Sequence, residues 1–373
     1  MCEPIRVLQM IGSLDIGGSQ TMILNLYRAM DRCKIQFDFI LDHPNEDALI
    51  PEVKALGARI FIMPSFKGSN FFEIKKAWDK FFDEHHEYKI LHSHVRSYAS
   101  VYIPIAKKHG VFTIIHSHST SNGRGLSSVV KAVMQYPLRY QADYFMACSE
   151  IAGTWLYGRN VDNKKNYKII SNAIDAKRFN YDEVVRNKVR KELGLVDKFV
   201  IGHVGRITEP KNHSFLLDVF EEIVKKKSNA VLLLVGDGEL RQLIDDKVKE
   251  KKLENKVIFV GSQSNTQDYY QAMDVFAFPS LWEGLGIVAI EAQTSGLHCV
   301  VSDKVPREID LGDGLVEFVS LDAGMSNWVN AILNTDIKKR TGKIEKVRVA
   351  GYDVTENAKQ MMKFYLSIDT KMR

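Results

Sequence analysis

The sequence predicts an α/β protein built from two doubly wound, Rossmann-like domains. Short apolar runs alternate with helix-spaced stretches almost throughout, and the strand-like runs recur about every 25 to 30 residues. That alternation is the pattern of βαβ units around parallel sheets. It falls into two series, and a chain of 373 residues is long for one core and comfortable for two.

The first series opens with a strand over 6–11 and a glycine-bearing loop over 12–18. A helix over 21–30 follows, with Met22, Leu26 and Met30 on one face. Further strands are predicted over 37–41, 59–63, 89–92, 112–116, 144–148 and 168–170, with a helix over 71–85. The second series has strands over 199–204, 231–235, 257–260, 275–278 and 299–301, and helices over 213–226, 241–251 and 287–295; segments 315–319 and 326–333 close it. The joint falls at Asn172-Ala173-Ile174-Asp175, which gives domains 1–173 and 174–353. The tail, 354–373, reads as a helix whose Met361, Met362, Phe364 and Tyr365 offer apolar surface; it is expected to pack back on the first domain.

Composition excludes several classes. The content is 45% hydrophobic and 26% charged, ordinary for a soluble enzyme. No apolar run approaches the roughly 20 residues that span a bilayer. The first residues carry an early acid, Glu3, and pass straight into a strand pattern, so no secretory signal is read and the chain is expected in the cytoplasm. Cys2, Cys33, Cys148 and Cys299 are scattered without C-x-x-C spacing, which argues for reduced thiols. A net charge of +5 is too mild for a nucleic-acid partner.

Ligands of doubly wound sheets bind outside the carboxyl ends of the strands. The loops after Ile11, Ile115, Val204, Val235, Val260 and Phe278 are therefore the places to search. Two facing domains would set their strand ends across one central cleft. After Val204 come Gly205-Arg206 and then Lys211, just before a helix. Two cations near a helix N-terminus suit an anion such as a pyrophosphate, and read equally as a solvated loop. After Phe278, Glu283 and Glu291 stand eight residues apart with Gly284 and Gly286 between them. Glu283 precedes a helix and can reach a sugar hydroxyl. Glu291 sits within that helix among Val288, Ala289, Ile290 and Ala292, and a carboxylate there needs a partner such as paired ribose hydroxyls. Eight of the eleven histidines precede residue 120, and four of them form two H-x-H pairs at strand ends: His92 with His94, and His116 with His118. Such pairs suggest metal ligands, but the sequence supplies no third ligand, and no metal is expected.

Segment 283–291 resembles the E-x7-E element of glycosyltransferase family 4, the group 1 glycosyltransferases of GT-B fold, and in particular those that make exopolysaccharide and capsule. The likeness extends through Ala272-Met273-Asp274-Val275-Phe276 and Glu291-Ala292-Gln293-Thr294-Ser295-Gly296. It also takes in Gly205-Arg206 with Lys211, Gly236-Asp237-Gly238, Val260-Gly261-Ser262-Gln263, Gly17-Gly18-Ser19-Gln20 and the joint at 172–175.

The resemblance implies a retaining transfer from a nucleotide diphosphate sugar, expected to be UDP-linked, to a lipid-linked or polysaccharide acceptor. It implies that Arg206 and Lys211 hold the diphosphate, Glu283 the donor sugar and Glu291 the ribose. Gly236, Ser262, Gln263, Gly284, Leu285 and Gly286 would line the donor site, with Ser262 and Gln263 near the base. Gly17 and Gly18 would let the first domain's loop close over the phosphates. A histidine, His116 by strand register with His118 beside it, would face the donor sugar. The family often has glutamate where Gln20 stands, which leaves acceptor contacts open.

No D-x-D occurs, and two cations with a helix end can neutralise a diphosphate, so catalysis without metal or cofactor is expected. Residues 129–140 place Val130, Val133, Met134 and Leu138 near Lys131 and Arg139, a basic amphipathic pattern that suits peripheral contact with the inner membrane surface or simple packing. The alternatives of other class are a nucleotide-sugar 2-epimerase of the same architecture and a non-catalytic sugar-nucleotide binding protein.

Overall fold

The computed structural model describes residues 3–15, 17–43, 47–118, 126–336 and 340–372. Cys2, Ile16 of the glycine loop and Arg373 of the tail lie outside them; Cys33, Cys148 and Cys299 are free thiols. The chain divides into two compact units, Met1–Ala173 with Val354–Arg373, and Ile174–Asp353.

The first unit carries strands β1 (Ile5–Gly12), β2 (Ile35–Leu41), β3 (Ile60–Ile62), β4 (Ile90–Ser93), β5 (Phe112–Ser117), β6 (Tyr144–Ala147) and β7 (Tyr167–Ile169). Their order is β3-β2-β1-β4-β5-β6-β7, and every pairing is parallel. The second unit carries β8 (Phe199–Val204), β9 (Ala230–Val235), β10 (Val257–Phe259), β11 (Val275–Phe278), β12 (His298–Ser302) and β13 (Val316–Val319). Their order is β10-β9-β8-β11-β12-β13, again all parallel. In each sheet the winding reverses once, between β1 and β4 and between β8 and β11. These are the switch points where such sheets open a crevice at their carboxyl edge.

The central strands are buried on both faces, as their continuous apolar runs require. In the first unit one core gathers Trp78, Phe82, Tyr102 and Phe145, and another gathers Tyr27, Phe37, Phe39 and Tyr365. The helix Val354–Met372 belongs to the second of these, through Val354, Ala358, Met361, Tyr365 and Ile368. Their three- and four-residue spacing makes one helical stripe. Burying each large side chain of that stripe contributes about 1.5–3 kcal/mol, which fastens the tail to the first unit's sheet. Met362 and Phe364 pack at its margin.

Two local readings change. Residues 129–140 are not one helix but two, Leu126–Gln135 and Leu138–Gln141. Pro137 sits at the break, where the residue before a proline is pushed away from helical geometry. Leu138 is fully buried and Met134 packs on the core, so the exposed apolar row is instead Val129, Val130, Val133, Tyr136 and Tyr140. A helix also spans Ala99–Lys108 with Pro104 inside it.

Candidate active site

The second unit's switch point gathers most of the singled-out residues. β8 ends at Val204, and the chain turns through Gly205 and Arg206 into the helix His213–Lys226. β11 ends at Phe278, and the chain runs to the helix Ile287–Thr294. Lys211 Nζ donates to Glu283 Oε1 at 2.6 Å and lies 5.0 Å from the centre of the Phe278 ring. Both partners of this ion pair are mostly buried. Arg206 is exposed beside it, and among the described residues no acid pairs with it. The site thus holds one internally neutralised cation and one free cation at the same strand end. Ser280, fully buried in the β11 loop, has a hydroxyl without a protein partner.

The glycines explain how the loops meet. Gly286 caps the helix at φ +92°, and a Cβ there would lie 3.1 Å from Phe278 and 3.2 Å from Val305. Only glycine adopts that turn without strain, and it leaves the helix's first N–H groups facing the loop. Gly236 has φ +135°, and a Cβ on it would meet the Gly205 carbonyl at 2.1 Å. Its role is close backbone approach: the β9 loop lies directly against the Arg206 loop, joined by Ile207 N–H to Asp237 O at 3.0 Å. Ser262 is exposed on the loop after β10, and Gln263 Nε2 donates to Val260 O at 2.5 Å. Gly284 is exposed and Leu285 partly buried between the two acids.

Glu291 has the partner its setting demanded, and the sequence did not reveal it. Tyr270 Oη donates to Glu291 Oε2 at 2.8 Å, and to Val288 O at 3.1 Å. Desolvation pushes the Glu291 carboxyl up to about 7, while the Tyr270 hydrogen bond and the Arg178 charge pull it back down. Tyr270 stands 21 residues before Glu291 on the helix Thr266–Ala272, so no local pattern links them.

In the first unit, Gly17 precedes and Gly18 begins the helix Gly18–Ala29, at the end of β1. Gln20 Nε2 reaches Ser13 O at 3.3 Å, a donor bond that glutamate cannot make. At the neighbouring strand ends the two H-x-H pairs converge. His92 and His116 stack with ring centres 5.4 Å apart, and His116 and His118 at 4.1 Å. His94 Nδ1 lies 2.8 Å from His118 Nε2. Desolvation, reinforced by neighbouring charge, pushes His92 and His118 down to about 3 and holds His94 and His116 well below the usual imidazole range. All four are therefore neutral near pH 7. Strand register favours His116 as the substrate-facing group, but His116 is 1% exposed whereas His118 is partly open. His118 is thus the more accessible of the two. The sequence also supplied no third ligand for the H-x-H pair at His92 and His94, and the structure brings His116 to them: ligand atoms of the three lie within 4.8 Å of one another.

Among the described residues no helix is long and apolar enough to cross a membrane. Two family models match the chain, Glycosyltransferase Family 4 over residues 16–178 and Glycosyl transferases group 1 over residues 185–311. The putative glycosyltransferase EpsF of Bacillus subtilis is 31% identical over 368 residues, 96% of each protein. An Escherichia coli enzyme named UDP-Gal:alpha-D-GlcNAc-diphosphoundecaprenol alpha-1,3-galactosyltransferase is 25% identical over 307 residues, 76% of each. The crystal structure of Anabaena HepE in complex with UDP matches with a TM-score of 0.77 at 18% identity, over 98% of this chain and 100% of that one. WaaG, a glycosyltransferase of lipopolysaccharide biosynthesis, matches with a TM-score of 0.67 at 13% identity, over 96% and 95%. Two doubly wound parallel sheets, family models over both units and a full-length relative agree: the chain belongs to the group 1 glycosyltransferases, family 4, with the GT-B fold.

Proposed function

We propose that the protein is a retaining, metal-independent glycosyltransferase that moves a sugar from a UDP-sugar to a lipid-linked or polysaccharide acceptor in exopolysaccharide or capsule synthesis. The observation that carries this reading is the Lys211–Glu283 pair beside exposed Arg206 at the second unit's switch point. The names of relatives support it: EpsF, the UDP-galactose enzyme and the capsular polysaccharide glycosyltransferase CapM of Staphylococcus aureus. So does HepE, solved with UDP and glucose.

In this mechanism donor binding opens the ion pair. The Lys211 ammonium turns to the diphosphate and the Glu283 carboxylate accepts hydrogen bonds from sugar hydroxyls. The bond from the anomeric carbon to the diphosphate oxygen breaks, and the acceptor hydroxyl attacks the face the nucleotide leaves. Its proton passes to the departing phosphate oxygen. Arg206, Lys211 and amides at the helix ends stabilise the charge on UDP without a metal ion. Glu291 accepts from the ribose hydroxyls, and Ser262 and Gln263 lie toward the base. As a neutral imidazole, His118 is able to donate a hydrogen bond to a hydroxyl. A thermal-shift panel of UDP-, GDP-, ADP- and dTDP-sugars tests the donor. At 100 times its Kd a ligand stabilises by about 2.7 kcal/mol, so the UDP-sugar should raise Tm by several degrees. A shift with another nucleotide, or with none, would sink the assignment.

The exposed row Val129, Val130, Val133, Tyr136 and Tyr140, with Arg139 at 5.0 Å from the Tyr136 ring and Lys164 at 5.7 Å from the Tyr140 ring, supports peripheral docking to anionic lipid. Sedimentation with anionic vesicles at low salt should carry the protein down, and Val130→Glu with Val133→Glu should abolish it. Equal sedimentation of both proteins, or none of either, would refute the docking.

A further inference from the structure

We propose that His92, His94 and His116 form a binding site for a divalent transition-metal ion of the zinc class, inside the core of the first unit. The site goes beyond the transfer reaction and does not depend on it.

The sheet itself brings the ligands together. In parallel strands, paired residues and residues two apart share a face. Gln9 of β1 pairs with His92 of β4, and His92 pairs with Ile114 of β5. His94, His116 and His118 follow on the same face, one and two steps nearer the carboxyl edge. His94 is kept in line by its N–H to Met10 O at 2.8 Å. Against this face lies the tail helix, with Tyr365.

Three of the imidazole nitrogens, His92 Nε2 and both of His116, are buried without a hydrogen-bond partner for a cation to displace. His92 Nδ1 is 2.7 Å from Tyr365 Oη, so its Nε2 has no protein partner. His94 Nε2 is 2.9 Å from Gln9 Oε1, which makes that nitrogen the donor and leaves Nδ1 as the basic one. Neither ring nitrogen of His116 has a partner. Metal-bound imidazoles are usually held in this way, one nitrogen on the ion and the other on an oxygen that fixes tautomer and orientation. Gln9 Nε2 and His118 Nδ1 are also unpartnered, so five buried polar atoms cluster in one patch. One such atom costs about 1–3 kcal/mol, and a cluster of them calls for a common occupant. The three imidazoles, Gln9 and Tyr365 also border a small cavity of about 10 Å³ whose remaining lining is apolar, with Met22, Phe37 and Met361 among it.

Three neutral imidazoles select among cations. They suit Zn²⁺, Co²⁺, Ni²⁺ or Cu²⁺, and not Mg²⁺ or Mn²⁺, which take carboxylate and phosphate oxygens. Zn–N bonds of about 2.0–2.1 Å in a tetrahedron put ligand nitrogens about 3.3 Å apart. The rings must therefore swing inward from their present 4.8 Å envelope. His94 then gives up its 2.8 Å contact with His118, which frees His118 for its own role. His116, when it holds the ion, is not the group that meets a sugar.

The test uses the full chain, incubated with Zn²⁺, desalted and assayed for bound metal by mass spectrometry, with a parallel Co²⁺ load read by absorption. Near-stoichiometric zinc and the intense ligand-field bands of four-coordinate Co²⁺ are expected. His92→Gln should lose both, whereas replacing the loop pair His85→Gln and His86→Gln should lose neither. If His92→Gln fails to fold, Tyr365→Phe, which removes only the orienting oxygen, should weaken zinc roughly 10- to 100-fold. An anomalous peak among the three imidazoles in a zinc-soaked crystal would secure the site. A single bridging water there, no retained metal, or metal lost only with His85 and His86 would overturn it. Transfer that survives chelation agrees with a site apart from the reaction; activity lost to a chelator and restored by an added divalent ion would instead strike at metal-independent transfer.

Discussion

Replacing Lys211 with alanine is expected to cut turnover roughly 10²- to 10³-fold, the loss typical when one preorganised charge is removed from a developing anion. The residue does two jobs at once. Its stem lies over Gly205, its ammonium sits 5.0 Å from the Phe278 ring, and its Nζ holds Glu283 at 2.6 Å. Removing it leaves the Glu283 carboxylate mostly buried and unpaired, and breaking such a pair from one side is worse than never having it. The Lys211→Ala protein should therefore also melt earlier than wild type. Arg206→Ala separates the two effects. Arg206 is exposed and has no acid partner among the described residues, so its loss should leave Tm unchanged and still slow transfer by a similar factor. The double variant should lose less than the product of the single losses if both cations act on one diphosphate, as proposed. Near-normal rates in both single variants would refute the phosphate assignment. A fall in Tm for Arg206→Ala would show that the loop depends on it structurally.

Much of this architecture was legible because the physics behind it is local. A buried parallel strand must be apolar along its length, so β8, β9 and β11 announce themselves as runs such as Ala-Val-Leu-Leu-Leu-Val. Where each run stops, the loop chemistry begins, which is how Arg206, Lys211 and Glu283 could be picked out before any geometry was known. The tail helix was legible from its apolar spacing. What stayed hidden depends on contacts distant in sequence. The helix over Ala99–Lys108 contains Pro104, which reads as a breaker, yet Tyr102, Ile103 and Ile105 bury enough surface to hold it. Tyr270 and Glu291 meet only because two helices pack. The histidines show both sides of the limit. Their H-x-H spacing was plain, but a third ligand required knowing that β4 and β5 are neighbours in register. The difference in depth between His116 and His118 was hidden too: strand register says which face a side chain takes, not how deeply it is covered.

Glu291→Gln should move stability and binding in opposite directions. Desolvation raises this carboxyl to about 7, and the Tyr270 bond only partly opposes it. A group whose folded pKa lies above its unfolded one holds its proton more tightly when folded. The free protein is thus favoured while the carboxyl is protonated, and it loses stability as pH rises from the usual carboxyl range to about 7, by up to roughly 1.4 kcal/mol per pH unit. Glutamine can still accept from Tyr270 and carries no charge to desolvate. Near pH 8 the ligand-free variant should therefore melt above wild type, and near pH 5 the two should coincide. Binding runs the other way. Ribose hydroxyls donate best to a carboxylate, and a hydrogen bond to a charged group contributes about 1.5–3 kcal/mol, so UDP should bind the variant roughly 10- to 100-fold more weakly at the higher pH. Wild-type affinity should climb as pH passes through about 7, because the nucleotide draws the proton off Glu291, and the variant should show no such climb. Calorimetric titration of UDP across that range reads both effects. An unchanged Kd would remove Glu291 from the donor site, whereas a weakened Kd that still climbs with pH in the variant would place the titrating group elsewhere.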